Sequence, residues 1–391
     1  MDKTLTDTID KYGDPLGFKL REGSPSPLTQ GGRDVITVEA RQMAHHQKEA
    51  VISDGVAACA WRVTSDEGKH LKGTDLAPFP LGYFNAGIHA DLAQQIRRLA
   101  AERSIAIDGL SLSVVNHYWL TGSFIHGTGE GHAEPPDIDV AIDSPAKTGD
   151  VEALVHTALD ASPALAFLRT ALTTNSFALY INGRRRQVEG AVTSSAPDAN
   201  DPFRTYKSAP RPLDAKGRTD LVVKPGVSED GQSAPAQATI QGKQLRNIVG
   251  ESKLAADGLV GVDTWLAMPG ASHFVIAGDA AGKNAAPSGL ALFAAGIAFC
   301  YMTQLARYIE SMELAIHGVR LVQHTPFVGG AKAVAEPIDT HLFLNGEAPE
   351  ETHLKLLTVA ARTCYLHAAS KTPTEPILRI THNGRPVARA A

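Results

Sequence analysis

Two cysteines, Cys300 and Cys364, stand in settings that suggest covalent chemistry. Cys300 lies in a long apolar run that follows Pro287, and Cys364 lies in a second helical pattern, after two strand patterns. A lone buried cysteine usually packs as a small hydrophobic residue. Two thiols in this order can instead work as a pair, in which one sulfur is oxidised and the other condenses with it to a disulfide. The order therefore indicates a peroxidatic thiol at Cys300 and a resolving thiol at Cys364.

The segments around both cysteines resemble the OsmC/Ohr family of thiol peroxidases. Three segments carry the resemblance, namely APSGLALFAAGIAFC (286–300), GVRLVQH (318–324) and LLTVAARTCYLHAAS (356–370). In that family a proline opens an apolar helix that leads to the first cysteine, and the second cysteine follows two strands. The resemblance implies that Cys300 attacks an organic hydroperoxide or a related small electrophile and that Cys364 resolves the product. It also implies an external dithiol as reductant and no bound cofactor.

The resemblance further implies two charged side chains beside the reactive thiol. In the family, an arginine from the N-terminal strands and a glutamate at the start of the cysteine helix favour the thiolate. Arg246 is the best-placed candidate for the arginine. Where the family has its glutamate, this chain has Ser288-Gly-Leu-Ala291, so no carboxylate is expected from that part of the helix.

The stretch around Cys300 has a counterpart earlier in the chain. One constant offset pairs Ala77 with Ala286, Pro78 with Pro287, Gly87 with Gly296, Arg98 with Arg307 and Gly109 with Gly318. With small slips, the match extends to Trp61 with Trp265 and to the Asn-Gly-Arg segments at 182–184 and 383–385. Self-similarity at a fixed offset indicates two copies of one structural unit.

Each copy predicts the same series of elements. Alternating segments rich in β-branched residues indicate an antiparallel meander, followed by a long apolar helix, two strands, a shorter helix and a last strand. The predicted fold is α+β, with two OsmC-like domains in tandem that form an intrachain pseudo-dimer, each an antiparallel sheet packed with a long central apolar helix. The predicted boundaries are an irregular lead-in at 1–33, a first domain at 34–190, a connector at 191–237 and a second domain at 238–391.

Composition limits the classes of partner. Of the 391 residues, 43% are hydrophobic and 20% are charged, as in ordinary globular proteins with sizeable cores. The net charge of −5 argues against nucleic acid or an anionic membrane as partner. Three cysteines and an N-terminus without a signal-peptide pattern favour a reducing cytoplasm. The expected partners are a small organic substrate and a dithiol reductant, and a further homodimer stays open.

The two copies differ where the chemistry would lie. Asp91 occupies the position of Cys300, and Ser162 lies near the position of Cys364, so the first copy has no thiol pair. The simplest interpretation is one thiol site and one copy kept as scaffold. A sharper one is that the first copy was rebuilt around Asp91 and His89.

Two other classes of function stay open at this point. The first is a redox-neutral hydrolase or lyase at the inter-domain site, with Cys300 as nucleophile or a His/Asp set as acid and base. The candidates for that set are His45, His46, His89, Asp91 and His117, whose spacing matches no helical metal motif. The second is a non-enzymatic binding protein for an apolar small molecule.

Overall fold

The computed structural model has an α+β fold, with two large β-sheets and six α-helices among the residues that it describes. These residues are 7–22, 29, 32–55, 59–124, 126–214, 217–227, 239–240 and 243–388. Parts of the predicted lead-in (1–6, 23–28 and 30–31) and of the predicted connector (215–216 and 228–237) lie outside them. The predicted α+β class is confirmed.

The described residues of the first half form nine strands and three α-helices. The strands are β1 (Gly17–Glu22), β2 (Arg33–Gln42), β3 (Lys48–Ser53), β4 (Cys59–Ser65), β5 (Gly109–Thr121), β6 (Glu130–Asp143), β7 (Ser176–Ile181), β8 (Arg184–Arg186) and β9 (Val192–Thr193). The helices are α1 (Pro80–Glu102), α2 (Thr148–Ala161) and α3 (Pro163–Arg169). A 3-10 turn at Lys69–Leu71 precedes α1.

The second half has the same order of long strands and helices. Its strands are β10 (Val222–Val227), β11 (Thr239–Ile240), β12 (Lys243–Gln244), β13 (Arg246–Leu254), β14 (Leu259–Leu266), β15 (Ser272–Asp279), β16 (Ile316–Val328), β17 (Val334–Ala335), β18 (Asp339–Gly346), β19 (Ile377–His382) and β20 (Arg385–Pro386). Its helices are α4 (Gly289–Ser311), α5 (Glu350–Thr363) and α6 (Tyr365–Lys371). Within its described residues, β11, β12 and β17 are additional short strands, and β9 has no counterpart.

Each large sheet takes strands from both halves. Sheet A has the order β1-β4-β3-β2-β16-β18-β7-β8, and sheet B has the order β10-β15-β14-β13-β5-β6-β19-β20. The halves meet where β2 pairs antiparallel with β16 and where β13 pairs antiparallel with β5. The meander of each half is therefore completed by the returning strands of the other half.

The long helices α1 and α4 form the centre of the core. Helix α1 packs on sheet B, α4 packs on sheet A, and the two helices pack against each other. Two glycines allow the close approach, because a Cβ at Gly87 would lie 2.6 Å from the backbone N of Phe293, and one at Gly296 would lie 2.6 Å from that of Phe84. The rings of Phe84 and Phe293 stack with their centroids 4.1 Å apart.

Helix α4 is apolar around nearly its whole circumference. It is long and apolar enough to cross a membrane, with a mean hydropathy of 1.6, but 94% of that window is buried inside the protein. Burial against both α1 and sheet A accounts for this composition.

The two Asn-Gly-Arg segments form matching turns. Asn182 and Gly183 join β7 to β8 with φ of 49° and 77°, and Asn383 and Gly384 join β19 to β20 with φ of 49° and 74°. Two successive positive φ values are those of a type I′ hairpin turn, for which Asn-Gly is the preferred sequence. The predicted match of these segments agrees with their geometry.

Two segments predicted to be irregular contain strands. In the lead-in, β1 pairs with β4 at the edge of sheet A, and the connector contributes β9 and β10 to the sheets. Residues 201–206 of the connector lie against sheet A, where Tyr206 Oη donates to the backbone O of Glu39 at 2.5 Å and Arg320 Nε donates to Asp201 at 2.6 Å. Short edge strands have one neighbour and little alternation, so their sequences carry a weak signal.

Candidate functional site

Cys300 lies near the middle of α4, with 3% of its surface exposed. The helix begins after Ser288, whose Oγ accepts a hydrogen bond from the backbone N of Ala291 at 3.1 Å. Asp54 of the first half fixes this cap, because its carboxylate accepts hydrogen bonds from Ser288 Oγ at 2.5 Å and Ser288 N at 2.8 Å. A helix anchored across both halves thus places the thiol in the core.

Cys364 lies at the joint between α5 and α6 and is fully buried. Its φ of −72° and ψ of 117° are extended, so the chain changes direction there between the two helices. The joint places the Cys364 thiol close enough to Cys300 for each thiol to shift the pKa of the other. Both are free thiols. The two predicted thiols are therefore neighbours in space, although their roles stay predictions.

A cavity of about 290 Å³ is lined by Cys300 but not by Cys364. Its apolar wall is made by Leu71, Phe79, Leu81, Ile248, Leu266, Met268 and Phe274. Its polar side chains include Glu67, Thr303, Gln304, Arg246 and Arg307. A small molecule in this cavity would meet the Cys300 sulfur first.

Two arginines contribute positive charge to the cavity. Arg246 opens β13 and lies 5.9 Å from the ring centroid of Tyr365, and Arg307 lies two helical turns after Cys300 and 4.0 Å from the centroid of Phe124. Burial and the neighbouring Arg246 lower the pKa of Arg307. Within the described part of the chain, neither guanidinium forms a salt bridge with a carboxylate. Both charges are therefore available to an anionic group in the cavity.

A buried ionic network supports the same cavity from the first half. Thr303 Oγ1 donates to Glu67 Oε1 at 2.5 Å, and Lys48 Nζ donates to Thr303 Oγ1 at 2.9 Å. Lys48 Nζ also lies 3.7 Å from Glu67 Oε1 and donates to the backbone O of His46 at 2.7 Å. Burial lowers the pKa of the fully buried Lys48, and Glu67 opposes this shift. The network holds the Glu67 carboxylate beside α4, one turn from Cys300.

The two thiols differ in acidity. Burial and the hydrogen bond with Cys364 raise the pKa of Cys300 well above its usual value. Burial also acts to raise the pKa of Cys364, but the hydrogen bond from Cys300 and the neighbouring His367 more than offset it, so the pKa lies well below its usual value. Cys364 is therefore the more acidic thiol of the pair.

Comparisons with known proteins give partial matches. No family model and no curated protein match the chain. An OsmC-like hydroperoxide resistance protein from Jannaschia sp. CCS1 matches with 19% identity over 34% of this chain and 85% of that one, at a TM-score of 0.22. An organic hydroperoxide resistance protein OsmC from Legionella pneumophila matches with 18% identity over 34% of this chain and 88% of that one, at a TM-score of 0.26.

The first half has a different arrangement at the equivalent place. Asp91 lies in α1 where Cys300 lies in α4, and Ser162 joins α2 to α3 as Cys364 joins α5 to α6. Ser162 Oγ donates to Asp91 Oδ2 at 2.5 Å, and the backbone N of Ala164 donates to the same oxygen at 3.1 Å. Burial raises the pKa of Asp91 to about 6, against the effect of these hydrogen bonds. Asp91 is thus a buried carboxyl that ties α1 to the start of α3.

The histidine and aspartate candidates do not share a site with Cys300. None of His45, His46, His89, Asp91 and His117 lines its cavity. Their partners differ, being Ser252 for His89, Glu310 for His46, and Asn247 with Asp137 for His117. Burial lowers the pKa of His89 to about 3, so this imidazole is neutral. In the described ranges, no three His, Cys, Asp or Glu side chains are grouped to hold a metal ion.

Several residues of the site escape sequence reasoning. Arg307 and His367 follow the two cysteines at helical spacing and could have been found from it. Glu67 and Lys48 lie in the other half of the chain, so no local pattern links them to Cys300. The expectation that no carboxylate accompanies the cysteine helix holds for the helix start, but Glu67 brings one from the segment between β4 and α1.

Proposed function

We propose that the chain is a thiol-dependent peroxidase of the OsmC/Ohr type that reduces an organic hydroperoxide or a related small electrophile. The observation that carries the proposal is the pair of neighbouring thiols, of which Cys300 alone lines a cavity that is also lined by Arg246, Arg307 and Glu67. An oxidant in the cavity can reach the Cys300 sulfur, whereas the Cys364 sulfur lies outside the cavity lining. This is the arrangement that a peroxidatic and a resolving thiol require.

The proposed reaction balances over two steps. The Cys300 sulfur attacks the distal oxygen of the hydroperoxide, the O–O bond breaks, and the alkoxide leaves as the alcohol with the Cys300 proton. Cys300 is then a sulfenic acid, and Cys364 attacks its sulfur to form a disulfide with release of water. An external dithiol returns the disulfide to two thiols by exchange. The protein binds no further cofactor in this scheme.

The cavity contributes electrostatics to the first step. Negative charge develops on the leaving oxygen as the O–O bond breaks, and the guanidinium groups of Arg246 and Arg307 offer fixed positive charge in the same cavity. The apolar wall suits an organic rather than a highly charged substrate. Thr303 and Lys48 hold the Glu67 carboxylate in place, and Glu67 in turn restricts the conformations of these two side chains.

We further propose that the chain is a fusion of two OsmC-like copies, interleaved as an intrachain pseudo-dimer. The repeated order of elements, the two matching Asn-Gly turns and the sheets built from both halves support it. In this interpretation the second copy supplies the thiols and Arg246, while the first copy supplies Glu67 and Lys48. One site then needs both copies.

The experiment is a titration of the fully reduced chain with tert-butyl hydroperoxide, followed by mass spectrometry of the disulfides. We expect rapid loss of two thiols per chain and a disulfide between Cys300 and Cys364. Cys300→Ser should abolish the reaction, and Cys364→Ser should stop at the sulfenic acid. Cys59→Ser is the matched control, because Cys59 is also buried and lies outside the site. A Cys300 thiol no faster than an ordinary cysteine would refute the proposal.

A further inference from the structure

His367 is a buried histidine that contacts the resolving thiol. It lies one turn after Cys364 on α6, and its Nδ1 is 3.3 Å from the Cys364 sulfur. Only 1% of its surface is exposed. Its ring packs against Tyr301 and Phe177, with centroids 5.1 Å and 5.9 Å away. These aromatic neighbours hold the imidazole so that its Nδ1 faces the Cys364 sulfur.

The same histidine lines a second cavity, which shares no lining residue with the first. This cavity has a volume of about 650 Å³, and the charged side chains around it are Glu130 of β6, Arg362 of α5 and Lys371 of α6. His367 Nε2 has no hydrogen-bond partner among the described residues. A line of contacts from Cys300 through Cys364 to His367 therefore connects the Cys300 cavity to a separate, larger one.

We propose that His367 is the catalytic base of the resolving step, which accepts the Cys364 proton at Nδ1 and exchanges it with solvent through the second cavity. The proposal rests on the proposed function, because it concerns the disulfide-forming step of that reaction. The step then runs with a defined proton path. The Cys364 thiolate attacks the Cys300 sulfenic sulfur, the S–S bond forms as the S–O bond breaks, and His367 returns its proton to the departing hydroxide to give water.

The acidity of the pair is consistent with this assignment. Burial raises the pKa of Cys364, and the opposing shift comes from Cys300 and from two groups of His367, its ring and its backbone N–H. When Cys300 is oxidised it no longer offers a thiol proton to Cys364. The histidine is then the neighbour that remains to hold Cys364 as a thiolate.

The first test follows one turnover with tert-butyl hydroperoxide in the full chain, with dimedone to trap sulfenic acid. In His367→Asn and His367→Gln we expect Cys300 to be oxidised at close to the wild-type rate, whereas disulfide formation slows by about 100-fold, as for loss of a general base. His353→Asn is the matched control, because His353 is equally buried, its Nε2 has no hydrogen-bond partner among the described residues, and its Nδ1 lies 3.0 Å from the backbone O of Pro349. Disulfide formation at the wild-type rate in the His367 variants would overturn the proposal.

The second test needs no hydroperoxide, so it separates this proposal from the proposed function. In a Cys59→Ser/Cys300→Ser background, Cys364 is the remaining thiol, and its ionisation can be followed by thiolate absorbance. Adding His367→Gln should raise the titration midpoint by about one pH unit or more, while His353→Asn should leave it in place. If the Cys364 titration midpoint does not change in His367→Gln, the proposal is refuted, whether or not the chain reacts with hydroperoxide. A raised midpoint in a chain that hydroperoxide does not oxidise would refute the peroxidase function and leave His367 as the base of Cys364.

Discussion

The two long helices place different chemistry at equivalent positions. In α4, Cys300 lies beside Cys364 and lines an arginine-containing cavity. In α1, Asp91 accepts a hydrogen bond from Ser162 and lines none of the cavities described. Both pairs join a central helix to the joint between two shorter helices. The same backbone geometry therefore supports a pair of thiols in one half and a carboxyl–hydroxyl hydrogen bond in the other.

This difference separates what the fold needs from what the chemistry needs. The fold needs a contact between the central helix and the joint, which either pair supplies. The proposed chemistry also needs an open cavity, positive charge and a base, and in the described residues Cys300 lines a cavity with Arg246 and Arg307 while His367 contacts Cys364. Variants that change either the surroundings of Cys300 and Cys364 or those of Asp91 and Ser162 can test whether the two requirements are independent.

The largest effect is expected at Lys48, which supports the thiol side. Lys48→Met leaves Glu67, 5% exposed, without its buried cation. Removing one partner of a buried ion pair costs about 3–5 kcal/mol of unfolding free energy. Urea denaturation measures this loss, and Lys48→Met/Glu67→Gln should recover most of it. A single variant within about 1 kcal/mol of wild type would show that the pair is not coupled.

The next effect concerns the carboxyl side and depends on pH. Asp91 has a pKa of about 6 in the folded chain, above its ordinary value of 3.8, so the folded state binds this proton more tightly than the unfolded state. Its contribution to stability is complete below pH 3.8 and is lost as pH rises through 6. Relative to Asp91→Asn, the wild type should lose about 2 kcal/mol of unfolding free energy between pH 4 and pH 8. Parallel pH profiles of the two proteins would contradict the shifted pKa.

The third effect tests whether the helix crossing is symmetric although the sites are not. Gly87→Ala and Gly296→Ala each place a methyl group 2.6 Å from a backbone atom of the other helix. Each should cost about 1–3 kcal/mol through overpacking, and the two losses should be similar. Gly149→Ala in α2 is the control, because a Cβ there meets nothing within 4 Å. Thermal denaturation compares the three, and a large inequality between Gly87 and Gly296 would show that the halves do not share the crossing equally.

The smallest effect is expected from moving the thiols to the other half. In a chain without its three native cysteines, Asp91→Cys/Ser162→Cys should form a disulfide with diamide, because the wild-type side chains already touch. Its rate with tert-butyl hydroperoxide should stay at that of an ordinary thiol, because Arg246 and Arg307 line the other site. A rate near that of Cys300 would mean that the cavity contributes nothing.

The sequence predicts features that depend on neighbouring residues, such as helices, but not the contacts between distant segments. The apolar run around Cys300 and the constant offset from Pro78 to Pro287 suffice to predict the α+β class and equivalent helices. Trp61 and Trp265 are matched wrongly, because Trp61 lies on β4, whereas Trp265 lies on β14, which occupies the place of β3. Strand patterns with period two tolerate such a slip by one strand, whereas a long helix does not.

The charged part of the site illustrates the same limit. Glu67 and Lys48 reach Cys300 because sheet A joins β2 of the first half to β16 of the second. A pairing between halves leaves no mark in the local pattern of either strand. The three-dimensional partners of a buried thiol therefore cannot be read from its own segment.

The interleaved sheets also set the order of events during synthesis on the ribosome. In sheet A, β16 and β18 separate β2 from β7, so the first half emerges with a gap that only residues 316–346 can fill. At translation rates of about 5–20 residues per second, this gap stays open for roughly 10 to 40 s. During that time β2 and β7 present unpaired edges to other nascent chains. The order of the strands thus leaves the β2 and β7 edges unpaired until residues 316–346 have been made.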